Sequence, residues 1–237
     1  MTAQSLVPGI IGFAPATDHV YLDAIQRAAA EPSGDGLVNR LRLVYATLDT
    51  DRFFALDEEG RTDEAERLIA QAARSLRDAG ADFLVVTSNT GSVIAEGAGL
   101  DLPLLDIFAT TIDAALSAGA RRLGLLSTRR TLESGRYQRS AEQHGASVLA
   151  APDGVVTQID RMIDQEASRG ITTDASLKLL QDTVGWFADH GADAVILGCT
   201  DLLLFGVDAI GRGLLPVIDS TIVHATEAAR RAGVDVD

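Results

Sequence analysis

The sequence predicts an α/β fold of two similar, pseudo-symmetric lobes, each a mainly parallel sheet flanked by helices. Three observations lead there. Short Val-, Ile- and Leu-rich runs alternate with longer stretches of helical period. One strand-and-turn passage occurs twice. Apolar residues make up 46% of the 237 residues, with a positive mean hydropathy, which is ample material for large cores.

Eight runs read as strands: PGIIGF (8–13), LRLVYA (41–46), DFLVVT (82–87), LPLLDI (102–107), RLGLLS (122–127), ASVLAA (146–151), DAVILG (193–198) and LPVIDS (215–220). The segments between them read as crossover helices. Residues 63–79 carry acids in their first turn, place Leu68, Ala72 and Leu76 on one face and stop at Gly80. Residues 173–191 repeat that design, with Leu177, Leu180, Val184 and Phe187 on the apolar side and Gly191 as the stop. The last helix is TIVHATEAARRAG (221–233).

Those two helices run into near copies, AGADFLVVTSNTG and HGADAVILGCTDL. Ser88 follows Gly80 by eight residues, and Cys199 follows Gly191 by eight. LPLLD then ends at Asp106, 18 residues past Ser88, and LPVID ends at Asp219, 20 residues past Cys199. Three elements in one order at matching intervals indicate an internal duplication. The expected lobes are residues 1–105 and 106–219, with the helix of residues 220–232 packing back onto the first. In open α/β sheets the ligand lies beyond the carboxyl ends of the strands, so a cleft fed by the strand-end loops of both lobes is expected, with Ser88 and Cys199 as counterparts.

Composition excludes several classes of function. A formal charge of -14 gives no attraction to phosphate backbones or anionic lipid, so neither nucleic acid nor a membrane surface is an expected partner. No apolar run approaches a membrane span, and the start MTAQSLVPGIIGF lacks a signal-peptide pattern. With one cysteine and no internal disulfide, a reduced cytoplasmic setting is expected. GIIGF has neither G-x-G-x-x-G nor Walker spacing, which argues against a nucleotide. Lys178, the only lysine, lies mid-helix between leucines, which argues against PLP. His19, His144, His190 and His224 show no metal-ligand spacing. No cofactor and no metal are expected.

Chemistry concentrates at the two copied strand ends. One carries Thr87, Ser88, Asn89 and Thr90, and the other Cys199, Thr200 and Asp201. Each precedes a candidate helix N-terminus, where backbone N–H groups and hydroxyls bind a carboxylate and the dipole favours thiolate at Cys199. A thiol with a free pKa near 8.5 can exchange a proton near neutrality, whereas the Ser88 hydroxyl serves better as a donor or positioner. Ser88 also suits a helix N-cap, and Cys199 could be a buried structural thiol.

SNTGS, GCTDL, STRRT and VIDSTIVHA, together with the duplication, resemble the cofactor-independent aspartate/glutamate racemase superfamily over nearly the whole chain. Members typically place one cysteine before Asn-Thr and another in Gly-Cys-Thr, on opposite faces of a bound amino acid's α-carbon. The resemblance implies that Cys199 is the second catalytic residue and that Ser88 stands where the first cysteine would be. It implies substrate-binding roles for Asn89, Thr90 and Thr200, for Thr128 and Thr131 of a Thr-x-x-Thr segment, and for Arg52 as a clamp on a distal carboxylate. It also implies a small carboxylate-bearing substrate, PLP-independent catalysis and a homodimer.

The chain departs from that pattern at Ser88, at Ser92 where members often carry histidine, at the shortened turn GFAPATD and at ASRGI, where Arg169 is the only basic candidate. The reading is thus an amino-acid racemase or isomerase acting by proton transfer alpha to a carboxylate. Its alternatives are a single-cysteine decarboxylase of the arylmalonate type, a maleate-type cis-trans isomerase, and an inactive carboxylate-binding homologue.

Overall fold

The computed structural model describes residues 5–28 and 41–233. The first four residues, on which the signal-peptide reading partly rests, lie outside them. The chain divides into two compact units, one of Met1–Asp106 with His224–Asp237 and one of Ile107–Val223. In chain order the first unit contains β1 (Pro8–Gly12), α1 (Pro15–Ala28), β2 (Val44–Thr47), α2 (Thr50–Glu58), α3 (Thr62–Asp78), β3 (Phe83–Val86) and α4 (Asn89–Ala95). The second contains α5 (Ile107–Ser117), β4 (Arg122–Leu126), α6 (Arg129–Glu133), α7 (Arg136–Glu142), β5 (Ser147–Ala150), α8 (Asp153–Gln165), α9 (Asp174–Asp189), β6 (Ala194–Leu197), α10 (Val207–Gly211) and β7 (Val217–Asp219). The closing helix α11 (Ser220–Arg231) starts in the second unit, and from His224 onward it counts with the first.

Both sheets are parallel, ordered β2-β1-β3 and β5-β4-β6-β7. Consecutive residues of β3 serve opposite faces, as the two-residue strand period requires. Leu84 and Val86 join Phe53, Ile69 and Leu76 of α2 and α3, while Phe83 and Val85 join Tyr21 and Ile25 of α1 and Ala225, Ala228 and Ala229 of α11. A strand apolar at every position is therefore one buried on both sides. In the second unit Val195 and Leu197 of β6 pack on Val156, Ile159 and Met162 of α8 and on Leu180, Val184 and Phe187 of α9. Phe108 of α5 meets Tyr137 of α7 edge-on at 5.0 Å.

The duplication is repeated in the hydrogen bonds. Asp82 Oδ2 accepts from Val7 N–H, and Asp193 Oδ2 accepts from Arg121 and Arg122 N–H, so each aspartate secures the start of the neighbouring strand. Leu84 N–H donates to Pro103 O at 2.8 Å, and Val195 N–H donates to Pro216 O at 2.9 Å. Gly80 and Gly191 take left-handed conformations, φ +93° and +79°, that end the preceding helices without a Cβ penalty. The run LPLLDI is the exception among the expected strands. It makes a single parallel bridge, Leu84 to Leu104, before the chain enters α5 at Ile107.

Candidate active site

Ser88 and Cys199 each occupy the residue before a helical turn, with nearly identical extended backbones: φ -145°, ψ 130° for Ser88 and φ -138°, ψ 128° for Cys199. Ser88 follows β3 and caps α4, its Oγ accepting from Gly91 N–H at 3.0 Å. Ser, unlike Ala, satisfies one of the donors that a helix start leaves open. Asn89 and Thr90 form the first turn of α4 and are buried with Ser88. Within its own unit the Ser88 hydroxyl has no acceptor for its proton among the described residues. Gly91 is required here, because a Cβ would overlap the Phe13 ring.

Cys199 follows β6, is buried and packs in the cluster that holds Leu202, Phe205 and Ile210. Thr200 and Asp201 follow in a 3-10 segment, Thr200–Phe205. This environment works against the expected thiolate. Burial and the nearby Asp201 carboxylate push the thiol well above its ordinary range, and the N–H groups of Asp201 and Leu202 only partly offset them. The expected helix after Cys199 is a short 3-10 segment, so the helix-terminus contribution is small beside desolvation. The environment thus favours the thiol form of Cys199.

Thr128 and Cys199 lie at one sheet end. Leu126 of β4 pairs with Leu197 of β6, and Gly198 N–H donates to Leu126 O at 2.7 Å, so the residues just beyond leave the sheet side by side. Thr128 caps α6 by accepting from Thr131 N–H, and its hydroxyl donates to Thr131 Oγ1 at 3.1 Å. Thr131 is fully buried, so its side chain supports Thr128. Arg129 turns to α8, bonding Asp153 and Thr157. Arg52 is exposed on α2; the bond from Arg61, against some opposing burial, holds the Glu64 carboxyl below the usual carboxylate range, and the charges of Arg61, Arg67 and lastly Arg52 add to it.

Three groups escaped sequence reasoning. Asp18 is buried in α1 and bonded to Thr87 and Tyr45. Asp160 of α8 accepts from Arg129 N–H at 2.8 Å and adds a minor upward push on the Cys199 thiol. Tyr45 keeps its phenolic proton firmly, through partial burial and then its bond to Asp18. Only the acid of TDHVY, a few residues past the strand run PGIIGF, was a signal for Asp18.

Among the described residues no three His, Cys, Asp or Glu side chains are grouped to hold a metal, and no helix is long and apolar enough to cross a membrane.

A sequence profile of Asp/Glu/Hydantoin racemases matches residues 10–228. The chain belongs to that family. A candidate Asp/Glu racemase from Yersinia pestis is similar in structure, with TM-score 0.83 and 29% identity over 96% of this chain and 99% of that one. An aspartate racemase homologue from Pyrococcus horikoshii superposes with TM-score 0.75 at 23% identity, over 96% and 99% of the two chains. The glutamate racemase of Aquifex pyrophilus is 29% identical over 140 residues, 56% of this chain. That match spans about half, 52%, of the relative's length. Both sheets, parallel and flanked by helices, are those of the racemase family fold.

Proposed function

We propose that this family member is a cofactor-independent racemase or isomerase that moves a proton at the carbon alpha to a carboxylate. Cys199 exchanges a proton with one face of that carbon, and the Ser88 turn serves the other. Asn89, Thr90 and Thr200, with the backbone N–H groups beside them, hold the carboxylate and stabilise the enolate that develops when the α-proton leaves. Donors without net charge suit this task, because they oppose developing negative charge without an electron sink. Thr128 lines the same strand end as Cys199, with Thr131 behind it, and Arg52 would clamp a distal carboxylate of the substrate. The observation that carries the reading is the matched pair of turns, with Ser88 and Cys199 in one backbone conformation at equivalent strand ends.

The test is proton NMR in deuterated water with a panel of amino acids. Loss of the α-proton signal with wild-type protein, reduced about 100-fold or more in Cys199→Ala, is the expected result. No exchange with any amino acid refutes the racemase reading.

Two observations favour a second reading, decarboxylation. Burial of Cys199 favours its thiol form, and among the described residues of its unit none accepts the Ser88 hydroxyl proton. A disubstituted malonate would lose carbon dioxide by C–C cleavage, leaving the electron pair on the α-carbon. The Cys199 S–H would then protonate that carbon, and water would return the proton to sulfur. Carbon dioxide release from a malonate, with no α-exchange of amino acids, selects this reading.

A further inference from the structure

Asp18 lies behind the Ser88 turn and has no part in the chemistry above. Its Oδ1 accepts from the Thr87 hydroxyl at 2.6 Å and from Phe13 N–H at 3.2 Å, and its Oδ2 accepts from the Tyr45 hydroxyl at 2.8 Å. Phe13, Tyr45 and Thr87 belong to or directly follow β1, β2 and β3, so one buried carboxylate joins all three strands of the sheet. Gly12 leaves room for this arrangement, since a Cβ there would sit 2.5 Å from Asp18 Oδ2 and 2.6 Å from the Tyr45 ring.

Burying a charge is a poor way to gain stability, because well-packed apolar groups usually do as well. A positional role is the better account. Thr87 Oγ1 donates to Asp18 while accepting from Phe13 N–H at 3.1 Å, and Thr87 N–H donates to Ile11 O at 3.0 Å. Thr87 is thereby fixed on both its side chain and its backbone, and the next residue is Ser88. The second unit repeats the backbone bond, Gly198 N–H donating to Leu126 O at 2.7 Å, but has no side chain to do the rest. The residue before Cys199 is Gly198, where a Cβ would meet Leu125 at 2.7 Å and Tyr137 at 3.1 Å, so close packing holds that strand end. The two units present Ser88 and Cys199 in the same conformation with one shared backbone bond and unlike side-chain support.

We propose that Asp18 is a positioning residue that acts through the Thr87 hydroxyl to hold the Ser88–Asn89–Thr90 turn in its working orientation. The catalytic meaning of that orientation rests on the function proposed above. The ordering of the turn does not, and it is measured separately.

Native-state amide exchange by NMR is compared in wild type, Thr87→Val, Thr87→Ser and Asp18→Asn. Exchange at Gly91 and Ser92 is expected to rise tenfold or more in Thr87→Val and Asp18→Asn while Val85 of β3 is unchanged, and Thr87→Ser, which keeps the hydroxyl, is expected to match wild type. Unchanged exchange at Gly91 and Ser92, or an equal rise at Val85, overturns the proposal. Should Asp18→Asn not fold, Thr87→Val decides alone, because it leaves the other two bonds to Asp18 in place. The same proteins are assayed for α-deuterium incorporation into glutamate and aspartate. A tenfold fall in kcat for Thr87→Val, with KM within threefold and recovery in Thr87→Ser, is expected. If the wild-type protein exchanges neither amino acid, the functional reading loses support, while the amide data still decide the role of Asp18.

Discussion

His224 shows how much a single residue's environment can change its chemistry. On sequence it is one histidine on the face of a terminal helix. In the structure it is fully buried, with Nε2–H donating to Leu105 O at 3.1 Å, which leaves Nδ1 to accept from the Tyr21 hydroxyl at 2.8 Å. Burial pushes its pKa down to about 4, against smaller upward pushes from the Leu105 bond and from Glu227. The ring is neutral in the folded chain, whereas in the unfolded chain it takes up a proton near pH 6.5. Stability is therefore fully present above about pH 6.5 and falls as pH drops towards 4, by roughly 3 kcal/mol from this group. Urea unfolding of wild type and His224→Gln at pH 7 and pH 4.5 checks this, and the variant should lose about 2 kcal/mol less between the two pH values. Equal losses would mean that the ring is not what titrates. Cys199 shows the same limit of residue-level reading. Its place at a strand end was legible from its spacing to Gly191, but its protonation was not, because burial depends on α8, α9 and the 3-10 segment that close around it.

At the scale of elements, the sequence was most legible where an apolar pattern meets a stop signal. The helix expected at residues 63–79 is α3, Thr62–Asp78, and the one within 173–191 is α9, Asp174–Asp189. What the pattern could not supply was how closely an element approaches its neighbour. Gly124 in β4 sits beneath α9, where a Cβ would lie 2.6 Å from Phe187 Cγ, whereas a Cβ on Gly185 of α9 meets nothing within 4 Å. The two glycines look alike in sequence, yet their substitutions have opposite expected signs. Gly124→Ala should cost about 1–3 kcal/mol by overpacking. Gly185→Ala should stabilise by about 0.5–1 kcal/mol, as a helix glycine with open space around it. Denaturant midpoints of the two variants measure both, and a stabilised Gly124→Ala would show that the strand and α9 can separate at little cost.

For the whole molecule, the chain's last helix completes its first unit. Ala225, Ala228 and Ala229 cover Ile10, Phe83 and Val85, a face that among the described residues they share with Tyr21 and Ile25 of α1. Ending the chain after Val223 should strip amide-exchange protection from Ile10 and Val85 while Leu125 and Ile196 of the other sheet keep theirs. Equal protection in the shortened and full-length chains would show that α1 and the rest of the first unit suffice. The sequence by itself determined the α/β class, the duplication, the strand-end turns bearing Ser88 and Cys199 and, through those motifs, the racemase family, because period, glycine stops and repeated spacing are local properties of the chain. Tertiary structure alone decided that Cys199 is buried where its thiol form is favoured, that Thr131 supports Thr128 from a buried position, and that Asp18 stands behind the Ser88 turn. Each of these depends on desolvation and on donors from residues far apart in sequence, and no local pattern encodes which of them meet.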